Sequence, residues 1–294
     1  MATPYFNPAN DYDHQHEGSE ALAINNTYFH RFLARLALHT TAKLFRQEGP
    51  CIPISRHKIL KTGYSTHLTE AVTMDFVARN TSIPVPKVHC SFIHKNRAYI
   101  VMERIQGQSL AAAWRHLSKE SREKIFLQLK GMLEELRTIE LPPNTGVASC
   151  VGGSMYDFRL PHRTPRFGPF KTIQDFHSWL RGGMDETTRL GPHVTDEDAA
   201  AIQAMIVKQN GSWPAPVFTH GDLNPTNIMV LGDQIVGIID WEFSGWYPPY
   251  WEYTNAYFGN LIREKWQGII CSLLEAYPEE LEMERTRQRW WGEF

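Results

Sequence analysis

The sequence predicts an α+β fold in two unequal parts: a small strand-rich N-terminal part carrying one key helix, and a larger, mostly helical C-terminal part. Three observations carry this reading. Between Ile52 and Met102, short apolar runs broken by Gly and Pro flank a single helix-spaced stripe. From Leu110 onward, long helix-spaced segments dominate. Between them and the C-terminus lies PVFTHGDLNPTNIMVLGDQIVGIIDWEFSGW, Pro216 to Trp246, which reads as strand, polar loop, strand, tight turn, strand, polar loop.

Taken in order, Met1 to Ser19 is polar and is expected to be a flexible tail in which His14 and His16 are solvated. Asn26 to Phe45 carries Phe29, Phe32, Leu33, Leu36, Ala37 and Leu44, spaced for a helix packed on one side, with Thr40 and Thr41 as an interruption. Ile59-Leu60-Lys61 reads as a strand end. Leu68 to Arg79 is a helix with Leu68, Val72 and Phe76 as its apolar stripe, Ala71 beside it and Glu70 in its first turn. Ile83-Pro84-Val85-Pro86 ends that helix, because each proline biases its predecessor away from the α region. Val88 to Phe92 and Ala98 to Met102 are strands around the turn 94–97, and Met102 to Gly107 leaves the sheet with its backbone groups exposed.

Ser118 is an N-cap for a long helix marked by Ile125, Leu129, Met132, Leu133, Leu136 and Ile139. Pro142 to Phe170 is too long for a simple connector, and such loops are often functional. Helices follow around Phe176, Trp179 and Leu180, and from Asp196 to Lys208 with Thr195 as cap. Trp246, Tyr247, Tyr250, Trp251, Tyr253 and Tyr257 form an aromatic wall, most of it core.

Composition narrows the function. The net charge of −2 argues against a broad nucleic-acid footprint, which needs a basic excess. No run approaches 18 apolar residues, so no membrane span is expected. The polar first twenty residues lack the apolar region of a secretory signal. Cys51, Cys90, Cys150 and Cys271 show no C-x-x-C spacing and read as reduced thiols, which points to the cytoplasm.

The chemistry concentrates in the stretch from Pro216 to Trp246. Gly232-Asp233 fits a two-residue hairpin turn. If Leu231 pairs with Gln234, Asn227 faces Ile238, and Asp240 shares its face as a diagonal neighbour roughly 7–8 Å away. An amide oxygen and a carboxylate converging there suit Mg²⁺. Asp222 enters from the preceding loop. A carboxylate beside a two-oxygen metal site is the minimal set for phosphoryl transfer, and H-x-D-x-x-x-x-N is the spacing of a kinase catalytic loop. The plainer alternative, a surface hairpin whose Asp and Asn serve turns, requires three polar positions to coincide by accident.

HGDLNPTN followed by IIDWE resembles the aminoglycoside phosphotransferase and choline kinase group, the small-molecule branch of the kinase-like fold; the likeness extends more weakly from about Lys43 to Tyr277. The resemblance implies a two-lobed protein-kinase-like fold, with residues 20–106 as a nucleotide-binding lobe and 107–294 as the catalytic and substrate-binding lobe. It implies ATP, or another nucleoside triphosphate, with Mg²⁺, and transfer of the γ-phosphoryl group to a hydroxyl of a small molecule such as an amino-alcohol or an aminoglycoside-like compound. By the same resemblance Asp222 is the base or substrate orienter, Asn227 and Asp240 hold the metal, Lys61 contacts phosphates and Glu70 positions Lys61. The backbone of Glu103 and Ile105 meets the adenine edge with Met102 nearby, and His220 belongs to the catalytic loop as its brace.

Departures from the pattern are specific. Between Gly18 and Gly107 the only glycines are Gly49 and Gly63, so a Gly-rich phosphate loop is missing and only Glu48-Gly49-Pro50 could stand in. Gly221 occupies the place where protein kinases carry arginine in H-R-D, no A-P-E follows Asp240, and Trp241-Glu242 replaces Phe-Gly. These features motivate a rival reading, a non-catalytic kinase-like binding protein. A third, a metallohydrolase using His220 and Asp222 as ligands, lacks an accompanying histidine cluster. Asp157, Asp185, Glu186, Glu242 and Glu252 are candidates for recognising an amine.

Overall fold

The computed structural model describes residues 14–47, 49–63, 65–160, 166–259 and 264–292. The Thr27 hydroxyl accepts from the His30 amide and starts α1 (Tyr28–His39); a 3-10 turn, Thr41–Leu44, follows the break at Thr40. β1 (Cys51–Pro53), β2 (Lys58–Gly63), β3 (Val88–Ile93) and β4 (Ala98–Glu103) form one antiparallel sheet in the order β1-β2-β4-β3. α2 (Leu68–Asn80) begins at His67, whose ring nitrogen accepts from the Thr69 amide. Its buried face runs Leu68, Ala71, Met74 and Val77 rather than along Val72 and Phe76, which are half-buried.

Two expectations for this lobe are corrected. α1 meets the sheet cluster of Leu60, Cys90, Phe92 and Val101 with its small side, Ala34 and Ala37, together with Leu38. Small residues allow close approach, so the bulky stripe of Phe29, Phe32, Leu33 and Leu36 is left facing outward, and Leu44 is exposed as well. His16 is not solvated: it is buried, with its ring stacked on His67 at 5.4 Å between centroids. Residues 1–13 of the expected tail, and Glu48, lie outside the described residues.

The larger lobe begins with β5 (Gln108–Ser109) and α3 (Leu110–Ala113), then α4 (Lys119–Arg137), capped by Ser118 as expected. α5 (Ile173–Leu180) and α6 (Asp196–Asn210) carry Thr172 and Thr195 as caps. β6 (Val217–Thr219), β7 (Ile228–Leu231), β8 (Gln234–Ile238) and β9 (Gly245–Tyr247) follow, and α7 (Trp251–Phe258), α8 (Glu264–Leu273) and α9 (Pro278–Trp291) close the chain. β5 joins the β7–β8 hairpin, and β6 pairs with β9. The segment between Pro142 and Phe170 is a built excursion. Val147 bridges to Phe170, Met155 to Phe167 and Ala148 to Trp246 of β9. Trp246, Tyr247, Tyr250, Trp251 and Tyr253 are buried, as core aromatics should be.

The hairpin register also departs from the expectation. Leu231 pairs with Gln234, and Gly232 has φ +63° while Asp233 stays at negative φ, as a type II′ turn requires. Beyond Val230↔Ile235 the pairing jumps to Met229↔Gly237 and Ile228↔Ile238. Val236 is the extra residue of a bulge. Asn227 is therefore met by Ile239, whose amide donates to its carbonyl at 2.9 Å, and not by Ile238.

Candidate active site

Lys61 lies on β2 opposite Ile100 of β4. Its Nζ donates to Asp240 Oδ1 at 2.7 Å, Glu70 Oε1 at 2.9 Å and Glu242 Oε2 at 3.0 Å. Asp240 sits at φ 66°, ψ 59°, which ends the strand alternation of β8 and turns its carboxylate to β2. Burial pulls the Lys61 pKa down, but the three carboxylates outweigh it and hold the ammonium well above its ordinary value. One ammonium cannot balance three carboxylates. Burial pushes the Glu70 carboxyl up to about 8; Lys61 opposes this, and Glu242 and Asp240 add to it. Glu242 is raised, first by burial and then by Asp240, against the pull of Lys61.

The catalytic-loop candidate is pinned from beneath. Glu252 of α7 accepts from the amides of His220 at 2.6 Å and Gly221 at 3.2 Å. The Asp222 amide donates to His220 Nδ1 at 3.2 Å, so that nitrogen carries no proton, and Nε2–H donates to the Ile239 carbonyl at 3.0 Å. His220 is buried with its ring 4.5 Å from that of Trp241. With both nitrogens engaged by backbone it braces the loop, and the metallohydrolase reading loses its ligand.

Asp222 is held by three donors. Asn227 Nδ2 reaches Oδ2 at 2.8 Å and Asn224 Nδ2 reaches it at 3.1 Å. Arg159 Nη1 reaches Oδ1 at 3.1 Å. An ionised carboxylate offers about four lone-pair directions, so one remains for an incoming hydroxyl. Arg159 is itself gripped by Asp157, donating from Nε at 2.8 Å and Nη2 at 2.7 Å, and its guanidinium lies 4.5 Å over the Phe243 ring. Asn227 is thus directed to Asp222 while Asp240 is directed to Lys61. Because of the bulge and the left-handed turn at Asp240, their relation does not follow from strand alternation.

Lys61, Glu70, Asp240 and Glu242 line a cleft of about 770 Å³ that continues past Met102, Glu103 and Ile105. The Glu103 amide is taken by the Lys87 carbonyl at 2.9 Å. Among the described residues the Ile105 amide has no hydrogen-bond partner. Phe45, Arg46 and Pro50 line the same cleft where a glycine loop would lie. A profile of the phosphotransferase enzyme family matches residues 67–289, which span α2, the catalytic-loop candidate and the hairpin.

The chain belongs to this family of enzymes.

Solved structures agree on the architecture of the phosphotransferase family. The chain is similar to aminoglycoside phosphotransferase APH(4)-Ia, with a TM-score of 0.57 at 14% identity over 83% of this chain and 81% of that one. It is similar to aminoglycoside phosphotransferase APH(3'')-Id from Streptomyces rimosus, solved with ADP and streptomycin, with a TM-score of 0.52 at 12% identity over 90% of this chain and 98% of that one. At such identities the likeness shows the fold, which is the two-lobed kinase-like one. A segment of 81 residues is 32% identical to subtelomeric hrmA-associated cluster proteins of two Aspergillus fumigatus strains, covering 26% of this chain and 16% of those proteins. The match thus spans about one sixth of the length of those relatives.

Within this family frame, the residues offered as amine recognisers are otherwise occupied. Glu252 anchors the loop, Glu242 joins Lys61, Asp157 is buried under Arg159, Asp185 accepts from Thr187 and Thr188, and Glu186 accepts from Asn210. Sequence reasoning missed the parts played by Arg159 and Glu252. Arg159 stands 63 positions from Asp222 with no local signal. Glu242, two residues past Asp240, was visible as a departure from Phe-Gly and as an amine candidate, but not as a partner of Lys61.

The donor set fits Mg²⁺ in the manner of a nucleotide-borne ion. Asp240, Glu242 and Asn227 offer hard oxygens only. Among the described residues no group of three or more His, Cys, Asp or Glu could hold a metal ion. Mg²⁺ is commonly held by one or two carboxylates plus substrate phosphates.

Proposed function

We propose that the chain transfers the γ-phosphoryl group of ATP to a hydroxyl of a small molecule, with Mg²⁺ held by Asp240 and Asn227. The supporting observation is the arrangement of Lys61, Glu70 and Asp240 around one cleft, with the Asp222 loop tied to the same hairpin through Asn227. When bound, the metal neutralises charge on the transferring phosphate. Asp240 would share its carboxylate between the metal and Lys61, Lys61 would bind the phosphates, and Glu70 keeps the ammonium oriented. Glu103 and Ile105 present backbone groups to the base, and Met102 packs beside it.

Asp222 receives the acceptor's hydroxyl proton as the new oxygen–phosphorus bond forms and the bond to the ADP oxygen breaks. Asn227 and Arg159 fix its carboxylate for that task. We assign residues 20–106 to nucleotide binding and 107–294 to catalysis and acceptor binding. Among the described residues no helix is long and apolar enough to cross a membrane. Four free cysteines support a reducing cytoplasmic compartment.

An untargeted screen for ATP-dependent gain of a phosphate on small alcohols, run beside Asp222→Asn, tests the reading. Turnover that Asp222→Asn removes supports it. Nucleotide binding with no turnover on any alcohol favours the non-catalytic binding protein, for which the short β1 and missing glycine loop speak.

A further inference from the structure

The apolar stripe of α1 faces solvent: Phe29 is 64% exposed, Phe32 53%, Leu33 42% and Leu36 44%. These positions follow i, i+3, i+4, i+7 and form one continuous ridge. Such ridges normally face a core. Here α1 already rests on the sheet by Ala34, so the ridge is a second face and not a misplaced first one. Its electrostatic setting is one-signed. From Ala21 to Gln47 the chain carries Arg31, Arg35, Lys43 and Arg46 and no acidic residue, although the whole chain is net negative at −2. The β3–β4 turn adds to the same side. His94 there is influenced by Arg35, Lys95 and Arg31, all of them basic. Among the described residues neither Arg35 nor Lys95 has an acidic partner.

We propose that this ridge is a docking surface for an anionic lipid bilayer, with α1 lying in the interface and Arg35 and Lys95 meeting headgroups. A helix with aromatic and leucine residues on one side and basic residues beside them is the form that inserts about 5–10 Å into the headgroup boundary. A second copy of the chain is the poorer occupant. Two-fold pairing brings each patch onto itself, so Arg35 and Lys95 would face their own like charges. Attachment is peripheral, since none of the described helices spans a bilayer.

The test is sedimentation of the full chain with vesicles of phosphatidylcholine alone and of phosphatidylcholine with phosphatidylserine. Binding is expected only with the anionic lipid and is expected to fall as salt rises. Arg35→Ala with Lys95→Ala is expected to weaken partitioning about 30-fold, at about fivefold per basic residue near an anionic surface. Phe32→Glu with Leu33→Glu is expected to abolish it while leaving the thermal transition in place, because both side chains are exposed. No binding of the parent to either vesicle overturns the proposal, as does equal binding to both. A salt-resistant dimer that Phe32→Glu with Leu33→Glu makes monomeric also overturns it, and gives the ridge to a second copy.

Discussion

The two ends of the site treat their cation differently. At one end Lys61 is shared among Glu70 of α2 and Asp240 and Glu242 of the segment after β8, all three lining the cleft. At the other, Arg159 is gripped by Asp157 of its own loop and lends one amino group to Asp222. The first end has a surplus of negative charge that invites another cation. The second is close to balance and is tuned by geometry. Under the proposed function, the difference means that metal and nucleotide would assemble around a surplus of negative charge, whereas the acceptor would meet a carboxylate that is already oriented.

The contrast can be broken most decisively at Asp222. Asp222→Asn is expected to lower turnover by about 10²–10⁴-fold, the contribution of a positioned base, with nucleotide affinity nearly unchanged. Rates on a true substrate and titration of nucleotide measure the two arms. Equal turnover in parent and variant removes Asp222 from the chemistry.

Next in size is Arg159→Ala. It strands Asp157, whose side chain is 1% exposed, and breaking a buried pair costs about 3–5 kcal/mol. Denaturant unfolding should show that loss, and Asp157→Asn in the same chain should restore part of it. No loss would mean that the arginine is held for chemistry alone.

At the other end, Asp240→Ala should weaken Mg²⁺-dependent nucleotide binding on the order of 10–100-fold, and more than Asn227→Ala, which removes an oxygen but no charge. Calorimetry with and without Mg²⁺ separates them, and an unchanged metal dependence in both places the ligands elsewhere.

The smallest effect is in stability. Glu70 is raised from 4.5 to about 8 by burial. The folded state therefore binds more protons than the unfolded chain between those values, and this contribution to stability is lost as pH rises through about 8. Replacement by Gln removes it. The melting temperature of the parent minus that of Glu70→Gln, without nucleotide or metal, should fall by a few °C from pH 5 to pH 8. A flat or rising difference would show that Glu70 stays charged throughout.

Local signals in the sequence were legible and long-range ones were not. Ser118 and Thr195 announced their helices because a cap and its amides lie within three residues. Gly232-Asp233 set the turn of the hairpin for the same reason. The bulge at Val236 hid inside an apolar run, although Gly237 within a strand is a mark of irregularity. Glu70 and Lys61 were paired in expectation through the resemblance to kinase-like folds, and the structure joins them at 2.9 Å. Glu252 and Arg159 could not be placed, since α7 and the excursion after Pro142 come to the catalytic loop only by folding. The stripe of α1 reads as its packed side, and the sheet instead takes the face of Ala34 and Ala37, because small residues allow closer approach.

Gly221 carries a consequence for how this site can be altered. It stands at φ +83°, and a Cβ there would lie 2.6 Å from the Phe243 carbonyl oxygen. No side chain fits without moving the backbone around Phe243. The arginine that protein kinases carry in H-R-D cannot be installed here by exchanging one codon. Engineering a version switched on by a phosphate would have to begin with the loop around Phe243, and evolution from either side would face the same two-step path.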